Sequence, residues 1–366
     1  MNDLEFSYFD NAAPVNDALD AFVRAHPEGN AYQLAAWRRA VADAYGYPGQ
    51  ALAARRGSEV IGMLPLSHVA RPWGRPRWVS LPFCDLGGAL ATSNEVAEAL
   101  AARARRDVGP AGATGLELRC SAPQVPDGEN AQDESALEGK KVRMVLGLPE
   151  SAAALMGSYP PKLRSQVRKA EKNGLSSEVA TSVATNAAAI AEFYDVYSRN
   201  MRRLGSPPHS RAWFEAIHRH YSAAGDMFIV VVRHENKAVG AGWVLLCGDS
   251  AVIPWASTLA EYNSLAPNML LYWAIQAHLC ERGVRQFDFG RSTYGEGTYK
   301  FKKQWGARPV ALDWREWDAQ GTAPIAAPAS AGGKSSLRPL VESAWQRLPL
   351  AVTNSLGPRL RRFITL

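Results

Sequence analysis

Apolar side chains recur every three to four positions between residues 17 and 45, where Tyr32, Ala36, Trp37, Ala40, Val41 and Tyr45 share a spacing that predicts helices. The rhythm then changes. Residues 51–56, a Gly57-Ser58 turn and residues 60–68 read as strand, turn, strand, and residues 77–81 as a further strand. Residues 81–88 read as a loop from their Pro and Gly content. Ser93 or Asn94 caps a helix running to about Asp107, and residues 115–120 and 141–146 read as strands around a polar stretch.

The second half repeats this order. Residues 160–173 form a basic helix stopped by Gly174, and residues 187–204 and 211–221 are helical. A strand over 227–233, a turn at 234–237 and a strand over 238–246 form a hairpin. Residues 251–255 form another strand, residues 268–281 a helix stopped by Gly283, and residues 286–290 a strand. Arg56-Gly57-Ser58 aligns with Glu235-Asn236-Lys237, and Leu116–Leu118 with Phe287–Phe289. The matching order of elements predicts an internal duplication of one α/β unit.

The hydrophobic rhythm stops after Trp317. Residues 318–336 are rich in Ala, Pro, Gly and Ser, as a flexible linker is. Residues 337–366 carry Leu, Val, Trp and Phe beside five Arg and one Glu. Leu337, Leu340, Val341 and Trp345 are spaced for one helical face. Such a basic amphipathic tail can lie on a membrane surface, or dock on the body or on a partner. The expected division is therefore 1–150, 151–317, a linker over 318–336 and a tail over 337–366.

Composition narrows the function classes. The 366 residues are 47% hydrophobic and 21% charged, ordinary values for a globular core, so a disordered chain is excluded. No apolar run approaches the length of a spanning helix. The first ten residues carry Asp3, Glu5 and Asp10 and no basic, apolar leader, which argues against a secretory signal, and the scattered cysteines read as reduced core thiols of a cytoplasmic protein. Cys84, Cys120, Cys247 and Cys280 are far apart, so a disulfide scaffold and a zinc ribbon are disfavoured. The net charge of +6 suits an acidic partner such as nucleic acid, anionic lipid or a phosphorylated substrate.

Several motifs fail. Gly333-Lys334-Ser335 lacks the leading glycine of a phosphate-binding loop, because that position is Pro328. Gly290-Arg-Ser-Thr-Tyr294 has Tyr where a nucleophile elbow has glycine. His218 and His220 are two apart and face apart on a helix, so no metal is expected.

Two segments carry chemistry. In residues 287–306 a strand ends in Asp288 and Arg291, a Gly-bracketed loop follows, and lysines then interleave with Tyr299, Phe301 and Trp305. Strand ends feeding such loops are where α/β proteins place ligands. The second segment is the basic helix, where Leu163, Val167 and Ala170 lie on one face. Lys162, Arg164, Arg168, Lys169 and Lys172 lie on the other, as a phosphate or RNA contact would require. His209, after Gly205-Ser-Pro-Pro208, is placed on a loop bordering the cleft. The basic helix leaves an RNA-binding protein as a rival to an enzyme.

Three pieces together resemble the Fem family of transferases, which build peptidoglycan bridges from aminoacyl-tRNA. They are the Leu-Arg-x-x-Val-Arg-Lys-Ala-x-Lys-x-Gly-Leu helix (163–175), Ala-Pro-Asn-x-Leu-Leu-Tyr-Trp (266–273), and Asp-Phe-Gly-Arg with Tyr-x-Phe-Lys-x-x-Trp-Gly (288–306). With Arg347-Leu-Pro-Leu and Leu356-Gly-Pro358, the chain looks most like FemAB-like proteins linked to exosortase/PEP-CTERM and exopolysaccharide operons. The resemblance implies an α/β (α+β) chain of two tandem GNAT-like domains. Each would be a mixed, mostly antiparallel sheet flanked by helices. It implies acyl or aminoacyl transfer to an amine or hydroxyl of an envelope precursor, lipid- or nucleotide-diphosphate-linked. By the family motif Lys302 is tied to the reaction centre; Asp288 is expected either to accept the nucleophile's proton or to hold Arg291 and a substrate amine. The rival to this transfer is a module that only binds an envelope glycan or lipid-linked precursor. Arg291, Tyr299, Phe301, Lys303, Trp305, Asn268, Tyr262, His209, Arg168 and Lys169 are the expected substrate contacts. Two departures leave the donor open between acyl-CoA and aminoacyl-tRNA. The helical hairpin associated with tRNA binding has no room between residues 188 and 221. The R/Q-x-x-G-x-G/A loop that holds coenzyme A is absent.

Overall fold

A computed structural model describes residues 4–122, 134–181, 183–320 and 338–365. The chain divides into two units. The first comprises residues 1–140, 310–335 and 362–366, and the second residues 141–309 and 336–361.

The first unit contains β1 (Glu5–Asp10), α1 (Asn16–Ala25), α2 (Ala35–Tyr45), β2 (Gly49–Arg56), β3 (Glu59–Val69), β4 (Arg77–Val79), β5 (Leu90–Ala91), α3 (Asn94–Val108) and β6 (Gly115–Ser121). Helix α3 starts where Ser93 accepts a hydrogen bond from the Val96 N–H, a side-chain N-cap. Its apolar face, Val96, Leu100, Ala104 and Val108, is buried in one core with Leu52, Leu64, Trp78, Leu116 and Leu118.

The second unit contains β7 (Lys141–Gly147), α4 (Ala152–Ser158), α5 (Pro161–Lys172), β8 (Leu175–Ala180), α6 (Val183–Arg203), α7 (Arg211–Ser222), β9 (Met227–His234), β10 (Lys237–Cys247), β11 (Ser250–Thr258), α8 (Pro267–Glu281), β12 (Gln286–Thr293) and α9 (Gly297–Lys303). Three further elements follow: β13 (Arg308–Asp318), α10 (Arg338–Arg347) and α11 (Leu350–Arg361). Strand β9 is apolar from Met227 to Val232 and buried throughout, as a central strand covered on both faces must be.

The two sheets have one plan. The first orders β1-β2-β3-β4-β6-β13 and the second β8-β9-β10-β11-β12-β7. All neighbours are antiparallel except β4 with β6 and β11 with β12. This is the duplication that the sequence predicts. The sheets differ from the expected division at their last strands. β7 follows β6 in the chain but pairs with β12, from Gln286↔Gly147 to Thr293↔Lys141. β13 follows β12 but pairs with β6, from Leu312↔Ser121 to Asp318↔Gly115. The boundary therefore falls at residue 140 instead of 150, and residues 310–318 return to the first unit.

The tail also differs from expectation. Trp345 is buried, whereas Leu340 and Val341 stand 66% and 64% exposed, so these three do not form one docking face. The tail packs on the second unit through small residues instead. Thr353 and Gly357 are buried, and a Cβ at Gly357 would meet Pro208 at 2.4 Å. Arg202 donates to the Leu348 carbonyl and Gln346 to the Arg203 carbonyl, fixing the tail to α6. Leu337, and residues 321–336 of the expected linker, lie outside the described residues. No helix among the described residues is long and apolar enough to cross a membrane.

Candidate active site

Strands β11 and β12 run parallel for only three residue pairs, Ser250↔Gln286, Ala251↔Phe287 and Val252↔Asp288. Beyond Val252 and Asp288 each follows its other neighbour. β11 stays on β10 as far as Gly240↔Thr258, and β12 stays on β7 as far as Thr293↔Lys141. The ladder therefore opens into a wedge. The opening begins at a bulge between Asp288 and Arg291, where Gly290 adopts φ +74°, a left-handed conformation that costs glycine little.

Backbone groups that leave a ladder need other partners. In the wedge, Lys302 supplies them. Its Nζ donates to the carbonyls of Gly290 at 3.0 Å and Arg291 at 2.8 Å. Successive carbonyls of a regular strand point to opposite edges, so the bulge is what allows both to face one ammonium. Lys302 is 8% exposed and sits in α9, which the sequence reading left as a loop and basic run. Asp288 is also buried. Its Oδ2 accepts from Arg143 Nε at 2.8 Å and its Oδ1 from the Gly290 N–H at 2.8 Å. Charge-assisted bonds of this kind are short and strong. Both oxygens are thus engaged, and the carboxylate fixes the turn that shapes the wedge. Arg143 was absent from the expected site. A lone arginine in the apolar run Val142–Leu146 was the available signal.

The aromatic residues of the 287–306 segment gather on α8. The Tyr272 ring stacks on Phe289 at 5.4 Å, meets Phe301 edge-on at 5.1 Å and lies 6.4 Å from Trp305. Tyr159 reaches Trp305 at 5.4 Å, and its hydroxyl donates to Gln276 Oε1, whose amide donates to the Tyr272 carbonyl. Beside this wall lies a groove of about 540 Å³, lined by Leu146, Leu148, Leu155, Tyr159, Lys303 and Trp305. Lys303 Nζ lies 5.5 Å from the Tyr299 ring centre, a cation–π contact. The Tyr299 hydroxyl and the Ser292 hydroxyl are buried without a hydrogen-bond partner.

The remaining expected contacts lie elsewhere in this unit. Arg168 and Lys169 are exposed on α5 and line a separate basic trough of about 570 Å³ with Arg164 and Lys172. Asn268 is partly buried in the first turn of α8. Tyr262 pairs with Lys237, whose Nζ donates to its hydroxyl at 3.1 Å. His209 does not border a cleft. It is 1% exposed, stacks on Trp213 and packs near Trp255. Its Nε2 accepts from Arg361 Nε at 3.2 Å. Burial, reinforced by the Arg361 charge, holds its pKa well below the usual value, so it is a neutral core histidine under the tail.

The corresponding opening in the first unit is filled. β4 leaves β6 after Val79↔Glu117, and the Leu81–Gly88 loop takes the space. The N–H groups of Gly87 and Gly88 both donate to the Arg119 carbonyl, and Ser80 Oγ accepts from the Arg119 N–H. Leu81 and Phe83 are buried there. At the corresponding opening of the second unit, the Gly290 and Arg291 carbonyls are met by Lys302. Among the described residues, no group of three or more His, Cys, Asp or Glu side chains is placed to hold a metal.

Residues 161–303, within the second unit, match the family described as acetyltransferase (GNAT) domain. The whole fold is that of tandem GNAT proteins. FemX is similar at 16% identity and TM-score 0.66, covering 86% of this chain and 98% of its own. A tandem GNAT protein from the clavulanic acid biosynthesis pathway aligns at 15% identity and TM-score 0.52, covering 86% and 98%. L-PGS from Bacillus licheniformis aligns at 11% identity and TM-score 0.51, covering 92% and 98%. No curated protein matches the chain in sequence.

Proposed function

We propose that this protein transfers an acyl or aminoacyl group to an amine or hydroxyl of a cell-envelope precursor, at the wedge between β11 and β12. The observation that carries the proposal is the buried Lys302 ammonium fixed at the point where the two strands part. In such a transfer the lone pair of the acceptor attacks the donor carbonyl carbon, and negative charge builds on the carbonyl oxygen. The acceptor loses a proton, and the donor leaves as the coenzyme A thiol or the tRNA ribose hydroxyl. A fixed cation beside that oxygen lowers the barrier by about 3–4 kcal/mol. Lys302 takes this part. Asp288 holds Arg143 and the Gly290 turn, and Arg291, Tyr299, Phe301, Lys303 and Trp305 orient the substrates. No covalent intermediate on the protein is required, because holding the two substrates together supplies much of the rate.

The donor is either acyl-CoA or aminoacyl-tRNA. A GNAT domain supports the first, and the Fem resemblance supports the second. The acceptor is read as an exopolysaccharide or peptidoglycan precursor carrying a phosphate or diphosphate, for which Arg168 and Lys169 on the α5 trough supply charge. The resemblance of Arg347-Leu-Pro-Leu and Leu356-Gly-Pro358 to exosortase-linked proteins favours the exopolysaccharide reading. We read the protein as cytoplasmic and peripheral at the inner membrane, with Leu340 and Val341 of the tail exposed as one candidate contact. The test offers radiolabelled acetyl-CoA and aminoacyl-tRNA in parallel to the protein with a bacterial envelope-precursor extract. Label passing from one donor into the precursor fraction is the expected result. Label from neither donor contradicts the proposal.

A further inference from the structure

Trp73 is the most exposed large apolar side chain of the described residues, at 89%. It projects from the loop over 70–76, which joins β3 to β4 and reads Ala-Arg-Pro-Trp-Gly-Arg-Pro. Pro72 and Pro76 fix their own φ angles, and Gly74 turns the chain at φ +93° with nothing within 4 Å of a built Cβ. The loop is therefore shaped to hold the indole away from the body. Arg71 and Arg75 on either side are exposed, and residues 70–77 contain no acid. Arg77 is engaged at the base of the loop, pairing with Glu316 at 2.9 Å and Glu117 at 3.6 Å.

A depression of about 480 Å³ separates this loop from the C-terminal segment, with Arg71, Pro72 and Arg77 on one side and Phe363 and Thr365 on the other. That segment is firmly held. The Thr365 carbonyl accepts from the Phe83 N–H and from Arg119 Nη1, and its Oγ1 accepts from Arg119 Nη2. Arg119 is fully buried and also donates to Glu117 and to the Cys84 carbonyl. Phe363 and Ile364 nevertheless remain 41% exposed each, and Arg362 lies over the Phe363 ring at 5.5 Å. Phe363 lines the depression with Arg71 and Arg77, Trp73 and Ile364 are chain neighbours of its lining residues Pro72, Phe363 and Thr365, and its two acids, Glu117 and Glu316, are both paired with Arg77.

We propose that this face of the first unit docks on an anionic lipid bilayer, Trp73, Phe363 and Ile364 entering the interface and Arg71 and Arg75 meeting lipid phosphate. Indole rings favour the boundary between headgroups and acyl chains, and arginine forms paired hydrogen bonds with phosphate. The inference rests on the membrane placement proposed above, and locates the contact on residues other than the tail helices.

The test measures sedimentation of the full chain with phosphatidylcholine vesicles, with and without phosphatidylglycerol. Trp73→Ala leaves the fold intact, since the ring touches little, which a thermal melt confirms. Binding to phosphatidylglycerol vesicles is expected to weaken about tenfold in Trp73→Ala and about fivefold in each of Arg71→Ser and Arg75→Ser. Trp73→Ala binding at wild-type strength overturns the proposal. If the double variant Leu340→Ser, Val341→Ser alone loses binding, the tail reading survives and this one does not. Trp73-dependent binding to a single-stranded RNA oligonucleotide, with none to vesicles, overturns both.

Discussion

Lys302 and His209 are both buried, in different surroundings. Lys302 donates to the Gly290 and Arg291 carbonyls, which hold its Nζ in one place. His209 is buried against Trp213 and Trp255, and burial first and the Arg361 charge second favour its neutral form. Its folded pKa lies below the unfolded value of about 6.5, so the unfolded chain takes up the proton first. The stabilisation from neutral His209 is complete above that pH and is lost as the pH falls below it, by at most about 1.4 kcal/mol per pH unit. His218 and His278 shift in the same direction through burial. Replacing His209 with Gln, whose amide oxygen also accepts from Arg361, is expected to flatten the fall in urea midpoint between pH 7 and 5 without abolishing it. An unchanged pH slope would contradict the assignment. Sequence singled out His209 but misplaced it. A histidine after Gly-Ser-Pro-Pro reads as a loop residue, which it is, but its burial depends on Trp255 and Arg361, which are distant in the chain.

At the scale of elements, the strand hairpins and the helices with strong apolar faces were legible. The N-cap at Ser93 and the stop at Gly174 were also legible, because caps are local chemistry. The missed elements are those whose partners lie far off or whose faces are exposed. β8 exposes Ser176, Ser177 and Glu178 at the sheet edge, so no alternation marks it. β13 is only partly buried along most of its length. Helix α9 is a seven-residue element after two glycines and was read as loop. The wedge itself could not be read, because splaying is a property of three strands rather than of one. Gly290 tests it. An alanine Cβ there would meet the Ile253 carbonyl at 3.6 Å, an ordinary contact, so the cost of Gly290→Ala comes from φ alone. A loss of about 1 kcal/mol in urea unfolding is expected. No loss would show that the bulge relaxes freely.

For the whole molecule, duplication explains why one site suffices. Both units carry a parallel pair that separates, and in the first the Leu81–Gly88 loop fills the gap with its own backbone hydrogen bonds. The second keeps its gap and adds a lysine there. The sequence showed the repeat, but not the exchange of last strands. β7 and β13 each pair with the unit beyond their chain neighbour, and nothing local in either strand encodes that choice. The net charge of +6 also acquires positions. Part of it lies on the α5 trough and part in the Trp73 loop. The central claim is that the second wedge transfers an acyl group with Lys302 beside the reacting carbonyl. Single-turnover transfer of label from whichever donor is active, in wild type and Lys302→Ala, tests it most directly. The account predicts that the variant keeps the wild-type circular dichroism spectrum and loses at least about a hundredfold in rate. Transfer by a folded Lys302→Ala protein at the wild-type rate would contradict it.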